Sequence, residues 1–321
     1  MTLQNKVKSN YPTLATTARM GHPVKAKELC LEYVEGTMVI SVVNLGRCDY
    51  TTALRLQESL VALRKEERVG NVLLFVEHPA VITLGRNAKE SNIVVPRELL
   101  AARGVEVFEI NRGGDVTLHA PGQLVAYPIF DLRSLDGKVG AVEFVRRLEE
   151  VLMRTCAQWA IETQRIAGMT GVWTLPEAPP RLNGRVMGRD YVAEGEESNS
   201  KAKAGKWSER KVAAIGVHIS RGVTSHGFAL NVTTDLGLYQ YIVPCGLTKP
   251  VTSIEFETGA RPSLDEVIVV AARGFGEIFA SQILWLEKLD DLLPGVAWEQ
   301  DAPAVAPENE RRVAGDDVHN G

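Results

Sequence analysis

Apolar and polar positions along the chain follow two periods, and the switches between them predict the elements. Residues 29–46, LCLEYVEGTMVISVVNLG, alternate β-branched and polar residues in the manner of strands around a turn at Gly36. The period then lengthens. In 50–71, YTTALRLQESLVALRKEERVGN, the residues Leu54, Leu56, Leu60, Val61 and Leu63 fall largely on one stripe, which predicts a surface-packed helix. VLLFVEHPAVITLGR (72–86) reads as strand, turn, strand, and 105–133 repeats that logic with glycines and a proline between its apolar runs. GAVEFVRRLEEVLMRTCAQWA (140–160) is the clearest amphipathic helix, with Cys156 packed on it. KVAAIGVHISRGVTSHGFALNV (211–232) predicts two strands joined near Arg221 and Gly222, and SLDEVIVVAARGFGEIFASQIL (263–284) opens with a serine cap and predicts a helix over the whole stretch.

Strict βαβ alternation is absent, so the expected class is α+β, with a mixed or mostly antiparallel sheet flanked by helices. Residues 1–28 are polar and aperiodic, which predicts a flexible N-terminal extension; 29–287 would form one domain, and 288–321 a solvated C-terminal tail. Residues 175–210, rich in proline, glycine, serine and charge, predict a loop insertion.

Composition narrows the function. With 45% hydrophobic and 24% charged residues in 321, the chain is that of an ordinary globular protein. A net charge of −4 supplies no global basic field for nucleic acid, so a charged partner must meet a local patch. Cys30, Cys48, Cys156 and Cys245 form no CxxC pair and no cysteine-histidine spacing suited to zinc. No apolar run reaches the roughly 18 residues a bilayer span needs, and the N-terminus has no continuous apolar segment. The expectation is a cytoplasmic protein with reduced thiols, no membrane contact and no nucleic-acid partner.

The signatures GxxxxGK[ST], HExxH and GxSxG are missing, and GFGEIF (274–279) lacks the last glycine of a dinucleotide motif. Four segments remain. RGGDVTLHAPGQ (112–123) combines Arg112, Gly113, Gly114 and His119, and reads either as a backbone-approach site or as a bulge and turn. VTSHGFALNV (223–232) holds His226, a catalyst or a hydrogen-bonded structural residue. Lys211 is a functional cation or a solvated strand flank. In YIVPCGLTKP (241–250), Cys245 is a nucleophile or a small buried hydrophobe.

Taken together, RGGDVTLHAPGQLVAYPIFDL, RKVAAIGVHISRGVTSHGFALNV and YIVPCGLTKPVTSI, preceded by LLFVEHPAVITLGR, stand in the order and near the spacing of the lipoyl(octanoyl) transferase family. The chain resembles that family over about residues 30–285. The resemblance implies a fold related to biotin and lipoate protein ligases, and a catalytic domain that transfers octanoyl from octanoyl-acyl carrier protein to a lysine of a lipoyl domain. That is the first step of endogenous protein lipoylation. Its acceptors would be the lipoyl domains of 2-oxoacid dehydrogenase complexes and the glycine cleavage H protein, and it needs no metal and no cofactor. The family's acyl-thioester cysteine matches Cys245 and its activating lysine matches Lys211. Its binding segments match Arg112, Gly113, Gly114, Asp115, Val116, Thr117, Leu118 and His119, then Ala214, Ile215 and Gly216, then Gly227, Phe228 and Ala229. Leu118 and Ala120 replace the tyrosine and glycine common around that first histidine, and a methyl at Ala120 fits only where φ is not positive.

The chemistry explains the residue types. A thioester donor and an amine acceptor on two separate partners suit a cysteine that takes the acyl group and then surrenders it. A thiol with pKa near 8.5 is about 3% thiolate at pH 7; an ammonium that lowers it to about 7 raises that fraction roughly fifteen-fold, a shift of about 2 kcal/mol. Pro244 and Gly246 would shape the turn presenting Cys245, and backbone N–H groups there would steady an oxyanion. Seven aliphatic carbons carry roughly 5–6 kcal/mol of transfer energy, which an apolar groove lined by Val125, Tyr127, Ile215 and Phe228 would collect. His119 and His226 would orient the carbonyl, assist the amine or brace the pocket. Arg86, Arg112, Arg146 or Arg147 would meet an acidic carrier protein. Two competing expectations are an ATP-using ligase on the same fold, for which Cys245 is dispensable, and a non-catalytic acyl-protein scaffold.

Overall fold

The computed structural model describes residues 37–137, 139–175, 181–182, 185–186, 209–243 and 249–293. The expected turn at Gly36, most of the insertion, Pro244, Cys245, Gly246 and the tail beyond 293 lie outside the described residues.

The elements run β1 (Met38–Arg47), α1 (Tyr50–Lys65), β2 (Asn71–Glu77), β3 (Val81–Leu84), α2 (Arg97–Ala102), β4 (Glu106–Glu109), β5 (Val116–His119), β6 (Gln123–Ile129), α3 (Ala141–Ala157), β7 (Thr163–Ile166) and β8 (Met169–Thr174). There follow β9 (Arg181–Leu182), β10 (Arg185–Val186), β11 (Lys211–Ser220), β12 (Val223–Asn231), α4 (Ile254–Thr258), α5 (Leu264–Ile278) and β13 (Ser281–Leu286). An eight-stranded sheet has the order β13-β1-β2-β6-β12-β11-β8-β7, and a three-stranded sheet the order β4-β3-β5. β1 pairs in parallel with both β13 and β2, while β6, β12, β11, β8 and β7 continue the large sheet antiparallel. This is the expected α+β class with a mixed sheet; β1-α1-β2 is a parallel crossover in the large sheet and β3-α2-β4 one in the small sheet.

Each face of the large sheet buries one helical layer. On one side α3 and α5 pack through aromatic rings, with Phe130 and Phe279 edge to face at 5.3 Å and Phe275 stacked on Phe279 at 5.6 Å. On the other, Leu56, Leu60 and Leu63 of α1 cover Leu74, Val76, Val125 and Tyr127. A third cluster closes the small sheet over Leu100 of α2 and Tyr239, Tyr241 and Ile242.

Two elements depart from the sequence pattern. The strands on either side of EHPA do not pair: β2 enters the large sheet and β3 the small one, so that turn hands the chain from one sheet to the other. The helix expected through residue 284 ends at Ile278, although its start is as expected, with Ser263 and Glu266 forming a capping box. Ala280, at φ +48°, reverses the chain, and 281–286 become an edge strand on β1. SQILWL suits either element, and the open edge of β1 decides it.

Lys211 at the head of β11 is tied to the chain that follows 244–248. Its N–H donates to the Pro250 carbonyl at 2.9 Å, and its carbonyl accepts from Thr252 N at 2.9 Å. Behind it, Arg210 makes a bidentate pair with Glu257 of α4, both contacts at 2.7 Å, and Thr252 Oγ1 donates to the same carboxylate. Both side chains are nearly buried, so losing one partner strands a charge. Glu257→Ala should therefore destabilise the fold by about 3–5 kcal/mol in chemical denaturation, while the double variant Arg210→Met/Glu257→Leu should recover most of that loss.

Candidate active site

β11 and β12 form the floor of the site, with Ala214 opposite Ala229, Ile215 opposite Phe228 and Gly216 opposite Gly227. The 112–115 loop crosses this ladder in contact with it: Gly113 N–H donates to the Val217 carbonyl at 3.0 Å, and a Cβ on Gly216 would lie 2.8 Å from Gly113 O. A Cβ on Gly227 would lie 2.0 Å from Ala126 O. The glycines are thus a condition of strand and loop approach. Arg112 clamps the same loop from beneath, donating from Nη2 to Thr83 O at 2.7 Å, from Nε to Thr83 Oγ1 at 3.2 Å and from Nη1 to Gly113 O at 3.0 Å.

Above the floor lies a cleft of about 360 Å³, within the range of small-ligand sites. Of the residues singled out in the sequence, Arg112, Gly114, Asp115, Val116, Thr117, His119, Lys211, Ala214, Ile215, Gly216, His226, Gly227, Phe228 and Ala229 line it together, as do Val125 and Tyr127. Gly113 and Leu118 are not among the lining residues. Gly113 supports the loop through its backbone, and Leu118 is fully buried in the core of the small sheet. Ala120, also buried, is not among the residues with positive φ, so its methyl is accommodated. Tyr50, Asn87, Gly168, Met169 and Thr170 complete the walls without having stood out in the sequence.

Lys211 reaches the cleft with its Nζ 4.7 Å from the centre of the Trp173 ring, a cation–π contact. Among the described residues, the arginines expected to meet a carrier protein do not gather around it. Arg86 bonds His218 at 2.8 Å, Arg146 pairs with Glu149 at 2.9 Å and Arg147 with Glu143 at 3.0 Å, and none of the three lines the cleft. Arg112 does line it, but is buried, with its guanidinium bonded to Thr83 of β3 and to the Gly113 carbonyl.

Three histidines surround the polar end. His78 Nδ1 lies 2.7 Å from the Cys48 carbonyl, which can only accept, so Nδ1 carries the proton and Nε2 accepts from Tyr127 Oη at 2.7 Å. His119 bonds Gln123 and lies nearly parallel to Tyr50, ring centres 6.0 Å apart. His226 is held in a left-handed backbone conformation, φ +56°, within β12; its N–H is drawn out of the ladder to Gln57 Oε1 at 2.9 Å and its Nε2 lies 2.7 Å from Asn111 Oδ1. Such a conformation costs of order 1–3 kcal/mol and collects at functional sites. Burial pushes His78 down to about 4 and His119 and His226 down to about 3, with neighbouring His78 adding to the effect on His119 and Arg112 to that on His226.

The described cysteines are held as thiols. Burial pushes Cys48 up to about 11, helped by Asp49, and Cys156 up to about 12. Neither serves as a nucleophile at neutral pH.

Three comparisons set the chain beside known proteins. The model of the lipoyl protein ligase A/B catalytic domain matches residues 49–276. A curated octanoyltransferase of Koribacter versatilis (strain Ellin345) is 53% identical over 284 residues, covering 88% of this chain and 100% of its own; that of Acidobacterium capsulatum is 51% identical over 268, covering 81% and 98%. Among solved structures, a bi-partite lipoate protein ligase from Thermoplasma acidophilum aligns with TM-score 0.54 at 14% identity over 78% of this chain and 86% of its own. A lipoate-protein ligase A bound with ATP aligns with TM-score 0.52 at 16% identity over 78% and 88%. At such identity the solved structures share the fold.

The buried histidines make stability depend on pH. Each takes a proton near 6.5 when unfolded and only near 3–4 when folded, so the unfolded state binds more protons between those values. Their contribution is complete above pH 6.5 and is lost as pH falls toward 3. Denaturant midpoints measured from pH 7 to 4 should fall steadily, and His78→Gln should make that dependence shallower by about one proton.

Proposed function

The chain belongs to the lipoyl protein ligase A/B catalytic family and is an octanoyltransferase, an acyltransferase of protein lipoylation; from that premise we propose that octanoyl passes from octanoyl-acyl carrier protein to a lipoyl-domain lysine through a thioester on Cys245, with Lys211 managing the protons. The Cys245 thiolate attacks the donor's thioester carbonyl, the bond to the carrier sulfur breaks, and the carrier thiol leaves with a proton. The acceptor's lysine amine then attacks the acyl-Cys245 carbonyl. The C–N bond forms, the acyl–sulfur bond breaks, and the proton lost by nitrogen returns to the cysteine through Lys211.

The observation that carries this reading is the backbone pairing of Lys211 with Pro250 and Thr252. Cys245 precedes Pro250 by a few residues whose fully extended reach is under about 18 Å, so the chain that carries the thiol is moored to the lysine that would activate it. On the other side, Val243 N–H donates to Asn92 O at 2.7 Å and Ile242 bridges Ile93, which ties the preceding end of the segment to the 90–93 turn. The elevated Cys48 and Cys156 thiols leave Cys245 as the cysteine of the matched motifs suited to nucleophilic attack. Val125, Ile215 and Phe228 supply the apolar walls for the acyl chain.

Acceptors are lipoyl-domain proteins, among which we place those of 2-oxoacid dehydrogenase complexes and the glycine cleavage H protein. We place the enzyme in the cytoplasm; among the described residues no helix is long and apolar enough to cross a membrane. Mixing with octanoyl-acyl carrier protein in the absence of ATP should give an octanoyl adduct by mass spectrometry that Cys245→Ala abolishes. Lys211→Met should slow transfer by about 10²–10⁴-fold. An adduct on another residue, or a strict need for ATP, would sink the assignment.

A further inference from the structure

A buried chain of amides joins the cleft to both sides of the segment that bears Cys245. Gln123 Oε1 lies 2.9 Å from His119 Nδ1, while Gln123 Nε2 lies 2.9 Å from Asn231 Oδ1, 3.2 Å from the Leu118 carbonyl and 3.2 Å from Tyr239 Oη. Asn231 Nδ2 donates to the Thr252 carbonyl at 2.9 Å. Gln123, Asn231, His119 and Tyr239 are all buried.

The two backbone carbonyls settle every orientation in this chain, because a carbonyl can only accept. Thr252 O fixes the nitrogen of Asn231, so its Oδ1 faces Gln123. Leu118 O and Asn231 Oδ1 then fix the nitrogen of Gln123, so its Oε1 faces His119. His119 Nδ1 must therefore be the donor, and in a neutral imidazole Nε2 is left as a bare acceptor. The ring is held in place by Tyr50 against one face and by the edge of His78 at 5.9 Å. With Nδ1 anchored inside, the opposite edge of the ring is the one that meets the cleft.

We propose that His119 is a catalytic residue of the amide-forming step: its Nε2 accepts an N–H of the incoming lysine amine and aims the nitrogen lone pair at the acyl carbon, with Gln123 as the positioning residue that holds the tautomer. This rests on the reading above in that the acceptor is a lysine amine. Of the charged groups that line the cleft, Lys211 and Arg112 are donors only, and both oxygens of the Asp115 carboxylate already accept, from Asn92 Nδ2 and from Val116 N–H at 2.7 Å each, so an amine entering between them needs a further acceptor to be oriented. Burial and the proximity of His78, Arg112 and His226 keep His119 neutral, and so weak a base does not keep a proton. The step balances without it: C–N forms, the acyl–sulfur bond breaks, and the proton goes to the departing cysteine through Lys211. His119 neither gains nor loses a proton.

¹⁵N-histidine NMR of the intact enzyme should show His119 protonated on Nδ1 from pH 5 to 8, and Gln123→Met should mix the two tautomers. In single-turnover experiments Gln123→Met and His119→Leu should slow the passage of octanoyl to a lipoyl domain about a hundredfold, and far more than they slow formation of the octanoyl-enzyme. His119→Gln, which keeps an acceptor oxygen, should lose less than His119→Leu. An Nε2-protonated wild-type His119, unchanged transfer, or equal slowing of both half-reactions would overturn the proposal. If wild type forms no octanoyl-enzyme, the Cys245 reading fails by itself; the tautomer, and the rate at saturating lipoyl domain, still decide the role of His119.

Discussion

The site depends on one close approach, that of the β11–β12 ladder to its neighbours on both sides. Gly227 lets β12 lie against β6, and Gly216 lets the 112–115 loop rest on β11, each within a distance that a single methyl would forbid. Once that approach is made, β11 and β12 carry Lys211, His226 and Phe228 to the cleft, and Arg112 and His119 are carried there by the loop and strand that cross them. The helices α3 and α5 on one face and α1 on the other fix the ladder in place. They supply only Tyr50 to the cleft itself.

Around that ladder the protein disposes of charge by burial. Three imidazoles are kept neutral, two thiols are kept protonated, and Arg112 is bound to Thr83 of β3 and to the Gly113 carbonyl. The polar end of the cleft is therefore a place of fixed dipoles, and a carbonyl or amine bound there would meet groups that need not reorganise as charge develops. Such preorganisation relies on every member of the network being satisfied. The Gln123–Asn231 amides meet that condition because two backbone carbonyls dictate their orientation.

Much of this was legible in the sequence. Hydrophobic period placed α1, α3, β11, β12 and the capped start of α5, and the glycine-histidine segments placed most of the cleft. What was not legible lay in tertiary choice. SQILWL fits a helix or a strand until the edge of β1 is offered, and the partition of β2 and β3 between two sheets has no signal in EHPA. Leu118 illustrates the limit of carrying a whole motif into a site, because strand alternation turns it away from Thr117 and His119 into the core. Tyr50, Met169 and Thr170 come from element ends far apart in the chain, and nothing in their local composition marks them. His78 was quoted within a turn, and its bond to Tyr127 becomes visible only once β2 and β6 are paired.

The left-handed His226 has a consequence for how the sheet assembles. A slip of one residue would turn every side chain of β12 to the wrong face. Here the backbone turns outward at a single residue, and the amide exposed by that turn is received by Gln57 on α1. The pair works as a key in a lock: only one alignment of β12 brings the outward amide to the waiting oxygen. The local strain at the site thereby doubles as the notch that sets the register of the central sheet.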